Sequence, residues 1–150
     1  MSEHHASVHW GRTSADFTYD SYNRAHAVTF KSGAVVVSGS AAPAFRGDAD
    51  RVDPEEAFVA SLAACHMLSF LAIAARKRIT IDSYEDDAVG VLEKGANGKL
   101  WVSRVTLRPR IKFGGGTSPD VEAITQIHHL AHSECFIANS VKTDVTVEQQ

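Results

Sequence analysis

Two cysteines, Cys65 and Cys135, stand seventy residues apart. A cysteine acts as a nucleophile or redox centre through its thiolate, so its surroundings decide what it can do. Cys65 lies in the apolar run FVASLAACHMLSF. An alanine-lined setting raises a thiol pKa, so a reactive Cys65 needs a cation brought from elsewhere, such as an arginine. An arginine beside an apolar thiol in turn needs a carboxylate to hold it. Glu55 and Glu56, just upstream, are the available holders. Cys135 lies in SECFIANS. No CxxC is present, so neither a thioredoxin-type motif nor a zinc ribbon has support. The alternative for each cysteine is a small packing residue.

The other chemical cluster is HHLAH, residues 128–132. His128 and His132 share a helix face at metal-ligand spacing, but the glutamate of HExxH is missing. With Cys135 they would make a metal-binding sensor; otherwise they are structural or solvent-facing. His4, His5 and His9 carry less information.

These residues must be positioned by a fold, and the chain is long enough to bury one core. Its 150 residues fit a single domain, 1–150. The apolar fraction of 44% and charged fraction of 22% are near the globular average, which excludes a disordered tail or a disulfide-dense scaffold. A net charge of −3 gives no electrostatic footprint for nucleic acid. MSEHHASVHWG shows no basic segment followed by an apolar stretch, so a cytoplasmic location is expected, with free or redox-active cysteines.

Ser7–Thr13 reads as a short strand, and Ala27–Phe30 and Ala34–Ser38 as a hairpin around Lys31-Ser32-Gly33. Ala41–Asp53 reads as a loop. Glu55–Arg78 is a helix: Asp53 caps it, Pro54 opens it, Glu56 completes a capping box, and Arg76, Lys77 and Arg78 suit its C-terminal end. Ala57–Ala75 is 19 residues without a formal charge. That length would cross a membrane, but Ser61, Cys65, His66 and Ser69 and the alanine content favour a buried central helix. Burial on every side predicts that a second subunit helps to cover it.

Ala88–Lys94 and Leu100–Phe113 follow as strands joined by Gly95-Ala96-Asn97-Gly98. Val105, Leu107, Pro109, Ile111 and Phe113 face the core, and Arg104, Thr106, Arg108, Arg110 and Lys112 face solvent; Pro109 asks for an edge or a bulge. Gly114–Ser118 is a break. Pro119–His132 is a helix capped by Ser118, Ser133–Ser140 a junction, and Val141–Val147 a last strand. This order gives an α+β fold with antiparallel pairing.

The run DPEEAFVASLAACHM, followed by HSECFIANSVKTDVTVE, resembles the OsmC/Ohr family of osmotically inducible and organic hydroperoxide resistance proteins. The similarity spans nearly the whole chain and is closest to an OsmC-like branch. The resemblance implies antiparallel sheets packed on a long central helix, in an intertwined homodimer with active sites at its interface. It implies a thiol peroxidase without metal or bound cofactor. By position, Cys65 would be the peroxidatic cysteine, Cys135 the resolving cysteine and Glu55 the family glutamate. The activating arginine would be Arg24, at the start of the first hairpin, with Arg46, ahead of the helix, as second choice. Attack on a hydroperoxide would give a sulfenic acid at Cys65, which Cys135 closes to a disulfide. The resemblance implies a dithiol reductant, notably a lipoylated protein. Phe58, Leu62 and Phe70 would suit an apolar peroxide.

Geometry adds to the dimer expectation. Glu55 and Cys65 lie about 15 Å apart along one helix axis. Two such helices crossing antiparallel at a two-fold axis would bring each N-terminus near the other's middle. Besides the metal sensor, one rival reading stays open: a non-catalytic protein of the same fold that binds a lipid or other small molecule.

Overall fold

The computed structural model describes residues 1–116 and 118–150. The described chain divides into two compact units, Met1–Ala57 and Phe58–Gln150.

In the first unit, β1 (Ser7–His9), β2 (His26–Phe30) and β3 (Val35–Gly39) form an antiparallel sheet in the order β1-β2-β3. The expected hairpin is present. Its turn passes through positive φ at Lys31, Ser32 and Gly33, which matches the right-handed twist of the flanking strands. Gly47, in the loop beyond β3, is required by close approach: a Cβ there would lie 1.5 Å from the Ala41 carbonyl oxygen. The expected loop holds a 3-10 turn at Pro43–Phe45 and then leads to α1 (Pro54–Arg76). The capping box forms reciprocally. Glu56 N–H donates to Asp53 Oδ1 at 2.8 Å and Asp53 N–H to Glu56 Oε2 at 3.0 Å.

The far end of α1 stops two residues earlier than the charge pattern predicts. Arg78 adopts φ +60°, Ile79 N–H reaches back to the Ala74 carbonyl and Arg78 N–H to the Ala75 carbonyl. This is a Schellman cap, and its hydrophobic member, Ile79, packs against the buried cluster around Phe70.

The second unit holds most of α1 and two further sheets. β4 (Ile81–Asp86) pairs antiparallel with β7 (Pro109–Phe113). β5 (Val89–Lys94) pairs antiparallel with β6 (Leu100–Leu107), and β8 (Asp144–Val147) completes the order β5-β6-β8. Three expectations need correction. The strand 100–113 is two strands, because Pro109 has no N–H and the Arg108 N–H is taken by Asp86 Oδ1 at 2.7 Å, so the chain changes sheets there. β6 and β8 pair in parallel, not antiparallel. The helix α2 (Val121–Glu134) lies between them in the chain and returns it in the same direction. And α2 starts two residues late, capped by Asp120, whose Oδ1 accepts Ala123 N–H at 2.8 Å. The expected break 114–118 includes Thr117, outside the described residues.

One stripe of α1, Leu62, His66, Phe70, Ile73 and Ala74, is buried. Its C-terminal half packs on Ile124, Ile127 and Ala131 of α2 and on Ile81, Tyr84 and Ile111. Leu62 packs with Val105 and Leu107 of β6, flanked by Val145 and Val147. By length and composition α1 could also cross a membrane, but this stripe is the packing face of a core helix. The opposite stripe, Ala60, Ala64, Leu68 and Ala72, is exposed in the single chain. The basic residues beyond β6 are an outer face as expected. Arg108 pairs with Glu148, and Arg110 with Asp87 and Glu85. Thr106 departs from it and is buried.

Candidate active site

The second unit brings Cys65 and Cys135 together from α1 and the end of α2. Both are free thiols with unequal settings. Cys135 follows the last residue of α2 and is 1% exposed. Burial pushes its thiol pKa up, and the neighbouring Cys65 thiol adds to this through hydrogen bonding and charge. Ala138 N–H, 3.4 Å from Cys135 Sγ, works in the opposite direction. Cys65 is half-buried on α1, beside the packed stripe. A buried thiol held neutral is a poor first nucleophile. The partly exposed thiol is the one a dissolved oxidant can reach, and its neighbour can close a bond with whatever forms there.

In the first unit, Arg24 and Arg46 are distinguished by their surroundings. Arg24 is half-buried two residues before β2. Its guanidinium donates to the Tyr22 and Tyr19 carbonyls, lies 3.8 Å from the Tyr22 ring centroid, and leaves Nε buried without a partner among the described residues. It lines a concavity of about 420 Å3 together with Trp10, Phe17, Tyr22, His26 and Ser40. Arg46 is exposed and paired with Asp20 at 2.8 Å. Glu55, half-buried in the first turn of α1, forms no ion pair with Arg24 or any other described cation. Among the described residues no carboxylate pairs with Arg24 within one chain.

Leu62 and Phe70 are 1% and 0% exposed, so both belong to the core and neither lines a substrate surface. The aromatic group of Trp10, Phe17 and Tyr22, with ring centroids 5.4 to 6.4 Å apart, was not foreseen. Its signal is the spacing of Phe17, Tyr19 and Tyr22 just ahead of Arg24.

The second unforeseen feature is a buried imidazole pair. His66 Nε2 and His128 Nδ1 are 3.0 Å apart, with the rings nearly parallel. The Phe70 ring lies 4.5 Å from that of His128. Burial lowers both pKa values to about 4, and each ring's histidine neighbours add to it. So His128 turns inward onto His66. Among the described residues no three His, Cys, Asp or Glu side chains converge to hold a metal ion.

A family model described as OsmC-like protein matches residues 47–150. An OsmC-like protein of unknown function from Vibrio cholerae, whose structure is solved, is 47% identical, with both chains covered in full and a TM-score of 0.94. An organic hydroperoxide resistance protein of Bacillus subtilis has the same fold at 22% identity, with 99% of this chain and 98% of that one covered and a TM-score of 0.71. Another from Elizabethkingia anophelis does so at 17% identity, with 100% and 98% covered and a TM-score of 0.74. No curated protein matches the chain.

Proposed function

The chain belongs to the OsmC-like protein family, and from that premise we propose that it is a cysteine-based hydroperoxide reductase acting in oxidative-stress defence in the cytoplasm. The observation that carries this reading is the pairing of a half-buried Cys65 with a fully buried Cys135 from the end of another helix. The names of the more distant relatives point the same way.

In the proposed cycle the Cys65 thiolate attacks the distal oxygen of an organic hydroperoxide. An S–O bond forms, the O–O bond breaks, and the alkoxide leaves as the alcohol after taking a proton. Cys135 then attacks the sulfenic sulfur; an S–S bond forms and water departs. A dithiol, such as a lipoylated protein, returns both cysteines to thiols by exchange. Arg24 is the proposed cation, stabilising the thiolate and the departing oxygen. Its buried, unpartnered Nε and the lack of a carboxylate partner among the described residues favour it over Arg46, whose charge is engaged by Asp20. The deciding measurement is mass spectrometry after one equivalent of an alkyl hydroperoxide. A Cys65–Cys135 crosslink is expected. A protein that stays fully reduced is a packing pair in a binding protein.

The proposed assembly is a homodimer with shared sites. The exposed stripe of Ala60, Ala64, Leu68 and Ala72 is a helix face small enough for a close crossing. The absence of an ion pair between Glu55 and Arg24 in one chain leaves Glu55 free to serve the partner's arginine. Co-refolding inactive Cys65→Ser with inactive Glu55→Ala subunits should restore one good site per mixed dimer. Mixed dimers that form and stay inactive would place the whole site in one chain.

A further inference from the structure

Each cysteine is fixed to its own helix. Cys65 lies in the middle of α1. Cys135 is locked to the end of α2. Its N–H donates to the His132 carbonyl at 3.3 Å and its carbonyl accepts Asn139 N–H at 3.0 Å. Asn139 Nδ2–H in turn donates to the Ser133 carbonyl at 2.9 Å. The separation of the two thiols is therefore set by how α2 lies against α1.

Most of that helix contact is apolar, with Phe70, Ile73 and Ala74 against Ile124, Ile127 and Ala131. Apolar burial is non-directional, so it favours contact more than it fixes one orientation. A hydrogen bond is directional and weakens steeply off its axis. Among the described residues a single hydrogen bond joins side chains of α1 and α2, the one between His66 Nε2 and His128 Nδ1 at 3.0 Å. The two rings are 8° from parallel, and both residues are buried. The only other polar link between the helices, from Arg76 to Glu134 at 3.8 Å, is exposed and worth little.

The placement of this bond suits the cysteines. His66 follows Cys65 directly on α1, and His128 precedes Cys135 by seven residues on α2. Seven residues are two helical turns, which puts His128 and Cys135 on one face, about 10 Å apart along the axis. Turning α2 by about 10° about the histidine contact would carry Cys135 roughly 2 Å. A disulfide tolerates a range of only about 1 Å in its Cβ separation.

Resting on the peroxidase cycle proposed above, we infer that His66 and His128 are positioning residues for its second step, their hydrogen bond holding α2 where Cys135 Sγ meets the oxidised sulfur of Cys65. In that step the Cys135 sulfur attacks the sulfenic sulfur, the S–S bond forms and the S–O bond breaks. The hydroxyl leaves as water with the Cys135 proton. The first oxidation does not involve Cys135 and is independent of this alignment. The imidazoles act through Cys135 and are not catalytic residues.

The test separates the two steps in a single turnover with one equivalent of an alkyl hydroperoxide. Release of the alcohol reports the first step. Mass spectrometry of quenched samples, with a dimedone-type trap for the sulfenic acid, reports closure of the Cys65–Cys135 bond. His66→Leu should release alcohol at the native rate and close the disulfide about tenfold more slowly, the worth of one buried hydrogen bond. His66→Gln, whose amide offers a donor and an acceptor near the place of Nε2, should restore most of the closing rate. His66→Leu leaves His128 Nδ1 without its partner, so the double variant His66→Leu/His128→Phe, which removes both polar partners, guards against a folding defect and should close as slowly. A second arm replaces the hydroperoxide with glutathione disulfide. Cys65 takes one glutathionyl group and Cys135 displaces it, so that two glutathione thiols leave with the two cysteine protons. A native chain that closes in this arm but not with hydroperoxide refutes the peroxidase reading, and the ratios among the variants still decide the role of the histidines. That role is overturned by native closing rates in His66→Leu or in the double variant, by His66→Gln closing as slowly as His66→Leu, by an alcohol burst slowed as much as closure, or by a native chain that closes in neither arm.

Discussion

Cys65→Ser will consume no hydroperoxide, whereas Cys135→Ser will take one oxidation and stop. The expectation follows from the unequal exposure of two neighbouring thiols. Removing a nucleophile eliminates the only route through the cycle, so turnover with a dithiol should fall by several orders of magnitude. Removing the buried partner spares the first step. One equivalent of alcohol should appear in a burst, and a sulfenic acid should then be trappable by a dimedone-type reagent. Full turnover by Cys65→Ser would show that Cys65 is not the peroxidatic cysteine. Steady turnover by Cys135→Ser would mean that an external thiol resolves the sulfenic acid directly.

The second large effect is on stability in acid. His66 and His128 are 1% and 6% exposed, and their folded pKa values lie near 4 against an ordinary 6.5. Above pH 6.5 both rings are neutral whether the chain is folded or not, and their contribution is fully present. Below it the unfolded chain takes up protons that the folded core refuses, so stability is lost as pH falls towards 4. Each ring adds a slope of about 1.4 kcal/mol per pH unit. The two rings interact, so the pair together costs several kcal/mol over the window, on the order of a third of a typical domain's stability. Asp86 works in the other direction, since burial raises its carboxyl pKa and protonation favours the fold. Urea unfolding at pH 7, 6 and 5 should show the decline, and His128→Phe should make it shallower. A native chain equally stable at pH 7 and pH 5 contradicts a neutral buried pair.

The histidines also show where sequence reading reaches its limit. Helix α1 was legible because its signals are local: a cap, a proline, a capping-box glutamate and a long uncharged run. The hairpin at Lys31–Gly33 was legible for the same reason. HHLAH reads as a metal spacing because His128 and His132 are four apart, but the partner of His128 is His66, 62 residues away, and no local pattern encodes that contact. Strand β4 was missed because its sequence, IDSYED, is mostly polar and a register shift between Ile81 and Ser83 breaks its alternation. The cysteine pair was legible through family resemblance; the inequality of its two members is a product of packing. The surroundings of Arg24 were invisible because carbonyls and ring faces, not a carboxylate, hold its guanidinium.

The parallel ladder of β6 and β8 has a kinetic consequence. Arg104 to Leu107 pair with Asp144 to Val147, forty residues further along the chain. Until β7 and α2 have taken their places, that edge of β6 is an open row of backbone donors and acceptors beside two buried apolar side chains, Val105 and Leu107. Closing so distant a contact is slow compared with forming the β5–β6 hairpin, whose strands are joined by a five-residue connection. The species in waiting is therefore a hairpin with one unprotected edge, and at high concentration its nearest substitute for β8 is the edge of another copy. Refolding yield should depend on protein concentration more steeply than the size of the chain suggests, with the losses arising before β8 docks.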